Sequence, residues 1–291
     1  MVGTCLKKYL PTAQTPSSKE LNLLDAKNIE EYLQVNKFNY VIHLAAHVGS
    51  LHDNMINRIK YYDNNVLMNT LITKYAYESG VTRFLGILST CIYPDLGSNY
   101  PTSENSLHSG KPHSDLMSYA YAKRSHAVQL DAYKLTHDVN YNYLIPCNMY
   151  GIISEAHKGR THYVNDLIFK IIEARKNGQK FLELFGDGTP LRQFMYAEDF
   201  AKIIYNYITG CVNGSFNVAP KENLSIDQIA RIAFKACDID LKIKYNASKP
   251  NGQHRKDVST TNFEKYFPHF KFTPLEEGIR KLFNYYTTSR Y

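Results

Sequence analysis

The sequence predicts an α/β protein built on a parallel, doubly wound sheet with a smaller mixed α/β lobe. Three observations carry that reading. Short apolar runs of strand length alternate with helical stretches through the first half. Polar segments rich in Ser, Thr, Cys and Asn follow directly after those runs, at the carboxyl ends of strands, where such sheets bind ligands. The second half mixes strands, turns and helices without that rhythm.

Residues 39–46 read as the first strand, on the apolar run Tyr40, Val41, Ile42 and Leu44. A long helix is expected from Met55 to Ser79 and a second strand from Arg83 to Ser89. Pro94, Pro101, Gly110 and Pro112 mark a polar loop. A helix over Ser118–Thr136 and a strand over Asn140–Pro146 complete the βαβ series. Beyond it come a helix at Val164–Asn177, a strand at Phe181–Phe185 and a tight turn at Gly186–Pro190. A helix at Ala197–Thr209, a strand at Ser215–Val218 and helices at Ile226–Ala236 and Leu275–Tyr286 finish the chain.

Composition excludes several classes. No run of about 18 apolar residues suggests a membrane helix, and the opening residues lack the order of a secretory signal. Five dispersed cysteines without a Cys-x-x-Cys pair predict neither a disulfide framework nor a zinc site, which fits a reducing cytoplasm. His108 and His113 lack a third ligand at a metal spacing and read instead as a loop lining the substrate site, so no metal is expected. The formal charge of +7 is scattered along the chain. That suits an anionic small molecule such as a nucleotide or pyrophosphate better than nucleic acid.

The chemistry concentrates in two segments. Tyr119 and Lys123 stand four apart on a predicted helix and share a face. A lysine placed so is expected to lower the phenol's pKa and fit it for proton exchange with an alcohol oxygen. Ser89 offers that oxygen a second hydrogen bond, and Cys91 adds a thiol that alcohol dehydrogenation does not need. Taken singly, Cys91 reads as a strand-end thiol, Lys123 as a solvated helix lysine and His162 as a capping or surface imidazole.

The ordered set of motifs changes that weighting. The segments 20–25, His43-Leu44-Ala45-Ala46-His47-Val48-Gly49, Ser89-Thr90-Cys91-Ile92-Tyr93-Pro94, Tyr119–Arg124, Pro146–Gly151, 186–194 and 247–256 follow one another over nearly the whole chain. In them the sequence resembles the GDP-L-fucose synthases, 3,5-epimerase/4-reductases of the extended short-chain dehydrogenase family. The resemblance implies a Rossmann-like NADP-binding domain over residues 1–148. Residues 149–291 would mainly bind the nucleotide sugar, with segments near 190–220 returning to the first domain. It implies that Cys91 and His162 exchange protons at C3 and C5 beside the C4 ketone, with base and acid unassigned. Tyr119, with Ser89 and Lys123, would then protonate the C4 oxygen when NADPH reduces it.

For the GDP-sugar, the resemblance points to Arg192, whose fork suits a diphosphate, and to Asn148, Lys170, Lys256 and the aromatic Phe185. Lys170 reads equally as a surface charge. For the cofactor it points to Gly3, Lys19, Leu24, Asp25, Ala45, Ala46 and Val48, besides Tyr119 and Lys123. The family's Gly-x-x-Gly-x-x-Gly loop is represented only by Gly3, so the natural enzyme is expected to carry residues upstream of Met1, the alternative being a natural truncation with impaired cofactor binding. A homodimer through the Met55–Ser79 and Ser118–Thr136 helices is also implied. Competing expectations are a related GDP-4-keto-sugar enzyme, such as one acting on a heptose, and a non-catalytic nucleotide-sugar binder.

Overall fold

The computed structural model describes residues 1–95, 99–153, 162–249 and 251–288. Helices α1 (Val2–Tyr9) and α2 (Ala26–Asn36) precede strand β1 (Tyr40–His43). Helices α3 (Leu51–Ile56) and α4 (Arg58–Glu78) lead into β2 (Arg83–Ile87), and α5 (Met117–Thr136) into β3 (Asn140–Pro146) and β4 (Asn148–Tyr150). Then come α6 (Tyr163–Lys176), β5 (Phe181–Phe185), β6 (Leu191–Arg192), β7 (Phe194–Tyr196) and α7 (Ala197–Thr209). Strands β8 (Phe216–Val218) and β9 (Leu224–Ser225), α8 (Ile226–Ala236), β10 (Lys242–Asn246), α9 (Thr261–Tyr266) and α10 (Leu275–Thr288) follow.

The main sheet runs in the order β1-β2-β3-β8, with all its pairings parallel. Its register sets Gly86 beside His43 and Ile87 beside Leu144. Strand β3 is buried from Tyr141 to Pro146, as a strand covered on both faces must be. Three smaller pairings, β4 with β7, β5 with β10 and antiparallel β6 with β9, build the remainder.

Buried apolar side chains form two clusters. One surrounds the main sheet and also takes in Met195, Phe200, Ile203, Phe216, Val258 and Phe263 from the second half. The other gathers Tyr150, Leu167, Ile171, Leu184, Ile229, Ile279 and Leu282. No helix among the described residues is long and apolar enough to cross a membrane.

Gly86 controls how α5 meets the sheet. A Cβ there would lie 2.7 Å from Leu130 Cδ1 and 2.9 Å from His126 Cε1, so only glycine lets this helix lie so close to β2. The long helix expected over 55–79 is two helices, broken where Asn57 adopts φ −112° and ψ 36°. Ser50 caps the first of them by accepting from Asp53 N–H. The first strand stops at His43, so Ala45 and Ala46 sit in the loop beyond it.

Candidate active site

Strand β2 delivers its chain end to a turn of 3₁₀-helix over Thr90–Ile92. Ser89 caps this turn, its Oγ accepting from Cys91 N–H at 3.3 Å. Arg124 clamps the same turn from α5, donating from Nε to Ile92 O at 3.0 Å and from Nη1 to Gly110 O at 2.9 Å. The serine and thiol are therefore fixed by the strand end and by the helix that carries Tyr119.

Lys123 is buried and donates from Nζ to Ile87 O at 2.8 Å. Burial depresses its pKa to about 8. Two buried imidazoles lie near its charge. His43 Nε2 and Asn69 Oδ1 are 2.9 Å apart, and His126 Nε2 lies 3.1 Å from Thr73 Oγ1. Burial and then the Lys123 charge push His43 down to about 3, and burial, His43 and Lys123 lower His126 as well. Both rings are neutral at physiological pH.

The phenol of Tyr119 does not follow the sequence expectation. Its pKa is raised, first by burial and then by Cys91 and Tyr61. Lys123 does not depress it, because that ammonium is directed at the Ile87 carbonyl. Tyr119 is thus held as a neutral proton donor.

Cys91 is half-buried. Burial raises its pKa, but Lys256, Ser89 and Arg192 outweigh this and lower it overall. Lys256 Nζ lies 2.8 Å from Cys91 Sγ. The sequence offered Lys256 as a diphosphate ligand; without substrate its ammonium lies on the thiol. Arg192 is half-buried; its Nη1 donates to Leu191 O at 2.8 Å and to His254 O at 3.4 Å. Burial lowers its pKa, and the charges of Cys91 and Tyr100 act in the opposite direction.

His162 is the N-cap of α6 and makes no side-chain capping bond there. It is exposed, so the desolvation that lowers its pKa acts less than on a buried ring; Lys256 lowers it further. Asn165 anchors this helix start, accepting from Gly151 N–H at 3.2 Å and donating to Gly151 O at 2.7 Å. Asn148 donates to Gln193 O at 3.2 Å.

Phe185 ends β5 and is 56% exposed. The ammonium groups of Lys170 and Lys249 lie 5.1 and 5.8 Å from its centroid. Lys170 also pairs with Asp166 at 3.0 Å, one helical turn away, which favours its reading as a surface charge. Beyond Phe185 the chain turns at Gly186 and Gly188, both at positive φ.

A cavity of about 810 Å³ opens beside α1 and the end of β1. Gly3, Ser18, Leu24, Ala45 and Ala46 line it. Lys19 is exposed and is not among its lining residues, Asp25 caps α2 by accepting from Asn28 N–H at 3.2 Å, and Val48 is exposed. His108 lines a hollow of about 480 Å³ with Tyr62, Met117 and Tyr121. His113 instead lies 3.9 Å from Asp95 and 3.7 Å from Asp115.

Sequence reasoning missed the His43–Asn69 and Thr73–His126 pairs, Arg124 as the clamp of the turn, and Gln193. Gln193 is buried, donates to Pro220 O at 2.9 Å and accepts from Val258 N–H at 2.9 Å. Asn69 and Thr73 stand one turn apart on α4, a spacing that signals a shared polar face but not its partners.

Residues 6–219 match the NAD dependent epimerase/dehydratase family. The chain is 31% identical to the GDP-L-fucose synthase of Dictyostelium discoideum, over 97% of this chain and 90% of that one. It is 32% identical to the GDP-L-colitose synthase of Yersinia pseudotuberculosis, over 95% and 90%. The crystal structure of a GDP-L-fucose synthetase from Naegleria fowleri bound to NADP superposes with a TM-score of 0.85 at 30% identity, covering 99% of this chain and 92% of that one.

Proposed function

The chain belongs to the NAD dependent epimerase/dehydratase family, and from that premise we propose that it epimerises C3 and C5 of GDP-4-keto-6-deoxy-D-mannose and reduces C4 with NADPH, forming GDP-L-fucose. One observation carries the reading. A thiol just beyond β2, held at 2.8 Å from Lys256 and lowered in pKa, accompanies a phenol of raised pKa on α5, and a simple reductase has no use for the thiol.

The C4 ketone acidifies the hydrogens at C3 and C5. Cys91 is suited to take such a proton, because its neighbours favour the thiolate. His162, across the start of α6, returns one on the opposite face; its lowered pKa makes the protonated ring a ready donor. Ser89 and Tyr119 donate hydrogen bonds to the enolate oxygen, which concentrates charge where a preorganised donor helps most. Tyr119 then gives its proton to the C4 oxygen on reduction. Lys123 fixes the helix turn behind Tyr119 through Ile87 O.

The cavity beside α1 fits NADP: exposed Leu24 and Ala45 offer apolar cover for flat rings, and Gly3 lies in its lining. Leu24, Asp25, Ala45, Ala46 and Val48 would hold it, with Lys19 toward a 2′-phosphate. Bound there, NADPH supplies the hydride for C4. Arg192, Asn148, Lys256 and Phe185 are assigned to the GDP-sugar side, with Lys170, which its Asp166 pair holds at the surface, as the remaining candidate. Residues 1–148 would bind the cofactor and 149–291 mainly the nucleotide sugar, with segments near 190–220 returning. A homodimer through α4 and α5 and a cytoplasmic location, suited to five free cysteines, complete the proposal.

Mass spectrometry of GDP-4-keto-6-deoxymannose incubated with the protein in D2O tests it. Deuterium uptake without NADPH, and GDP-fucose on adding NADPH, is the expected result. Reduction without any deuterium uptake would reduce the protein to a C4 reductase.

A further inference from the structure

Lys256 is the candidate site residue whose observed contact its sequence position did not suggest. It stands 165 residues after Cys91, yet its Nζ reaches Cys91 Sγ at 2.8 Å. The reach is built, because the backbone on both sides of Lys256 is pinned. On one side His254 O accepts from Leu191 N–H at 2.8 Å. On the other, Asp257 O accepts from Thr102 N–H at 3.0 Å, and Val258 N–H donates to buried Gln193 at 2.9 Å. The carboxylate nearest in sequence is already committed, since buried Asp257 takes Arg255 Nε at 2.6 Å and Nη2 at 2.9 Å. Among the described residues no carboxylate pairs with Lys256.

From this geometry, and resting on the epimerase reading above, we propose that Lys256 is the positioning residue that keeps Cys91 a thiolate in the substrate-free protein. The thiol proton leaves to water, and the sulfur is then free to take a sugar C–H proton without a prior transfer. An ammonium within hydrogen-bond distance of sulfur favours the thiolate over the thiol. The other groups around the sulfur are Ser89 on its own turn, Arg192 from β6 and Tyr119 from α5. Arg192 acts in the same direction, and Tyr119 is neutral. His162, at the start of α6, also feels the Lys256 charge, which lowers its pKa after burial. The lowered thiol pKa follows from this arrangement, with Lys256 the largest opponent of burial.

The test reads the sulfur directly, with no substrate present. Iodoacetamide labelling of the Cys91 peptide is followed against pH in wild type, Lys256→Met and Lys256→Arg. Exposed Cys211 serves as the internal reference, and buried Cys147 and Cys237 must stay unlabelled as the sign of an intact fold. The expected result is a labelling midpoint at least about one pH unit higher in Lys256→Met, roughly a tenfold loss of thiolate at a fixed pH below it. Lys256→Arg is expected to recover most of that shift. An unchanged midpoint in Lys256→Met, with Cys147 and Cys237 protected, would overturn the proposal. A raised KM for the GDP-sugar with that midpoint unchanged would return Lys256 to the diphosphate alone. Because labelling needs no turnover, a failed epimerase assay and a failed Lys256 role give different results.

Discussion

At the scale of single residues, the sulfur and the phenol divide the work by opposite shifts. Cys91 is lowered by cations and Tyr119 is raised by burial, so one is poised to accept a proton and the other to give one. Tyr119→Phe should therefore lose reduction by about 10²- to 10⁴-fold, the usual worth of a general acid, while retaining part of the deuterium uptake that depends on Cys91. Steady-state NADPH consumption alongside isotope exchange measures both, and wild-type reduction in Tyr119→Phe would remove the phenol from the mechanism. The residues themselves were visible in the sequence as Tyr-x-x-x-Lys and Ser-x-Cys. Their pKa values were not, because burial and through-space neighbours set them. Lys123 illustrates the point: its spacing placed it near Tyr119, but a main-chain carbonyl of β2 captured its ammonium.

At the scale of elements, the placement of Tyr119 depends on how closely α5 lies on β2. Gly86 sets that distance, with Leu130 and His126 where a Cβ would stand. Gly86→Ala should cost about 1–3 kcal/mol through overpacking and displace the start of α5 from the Ser89 turn. Urea unfolding paired with isotope exchange checks this; unchanged stability would mean the helix has slack. Most strands and helices of the first half were legible from periodicity. Helix α2 was not, since its packed face is little more than Ile29 and Leu33 amid polar residues. Strand β10 was also missed, because Lys242, Lys244 and Tyr245 leave it mostly exposed as half of a two-stranded sheet. The single helix expected over 55–79 hid a break at Asn57, a residue the apolar pattern does not mark.

At the scale of the whole molecule, the chemistry draws on residues far apart in sequence, from the turn after β2, from α5 and β6, and from the segment around Lys256. Helices α4 and α5 pack on one another and present exposed Ile59, Leu67 and Val128 outward. If those faces bind a second copy, light scattering after size exclusion should give twice the chain mass, and Val128→Glu should return a monomer. A monomeric wild type would refute the dimer. The juxtaposition of Cys91 with Lys256 could not be read from sequence, because nothing local links residues so far apart. That distance along the chain has a consequence for biosynthesis. At usual translation rates the ribosome makes the thiol on the order of ten seconds or more before its ammonium. A nascent chain therefore carries Cys91 as an ordinary sulfhydryl, and the reactive sulfur comes into being only when the last third of the polypeptide has folded over it.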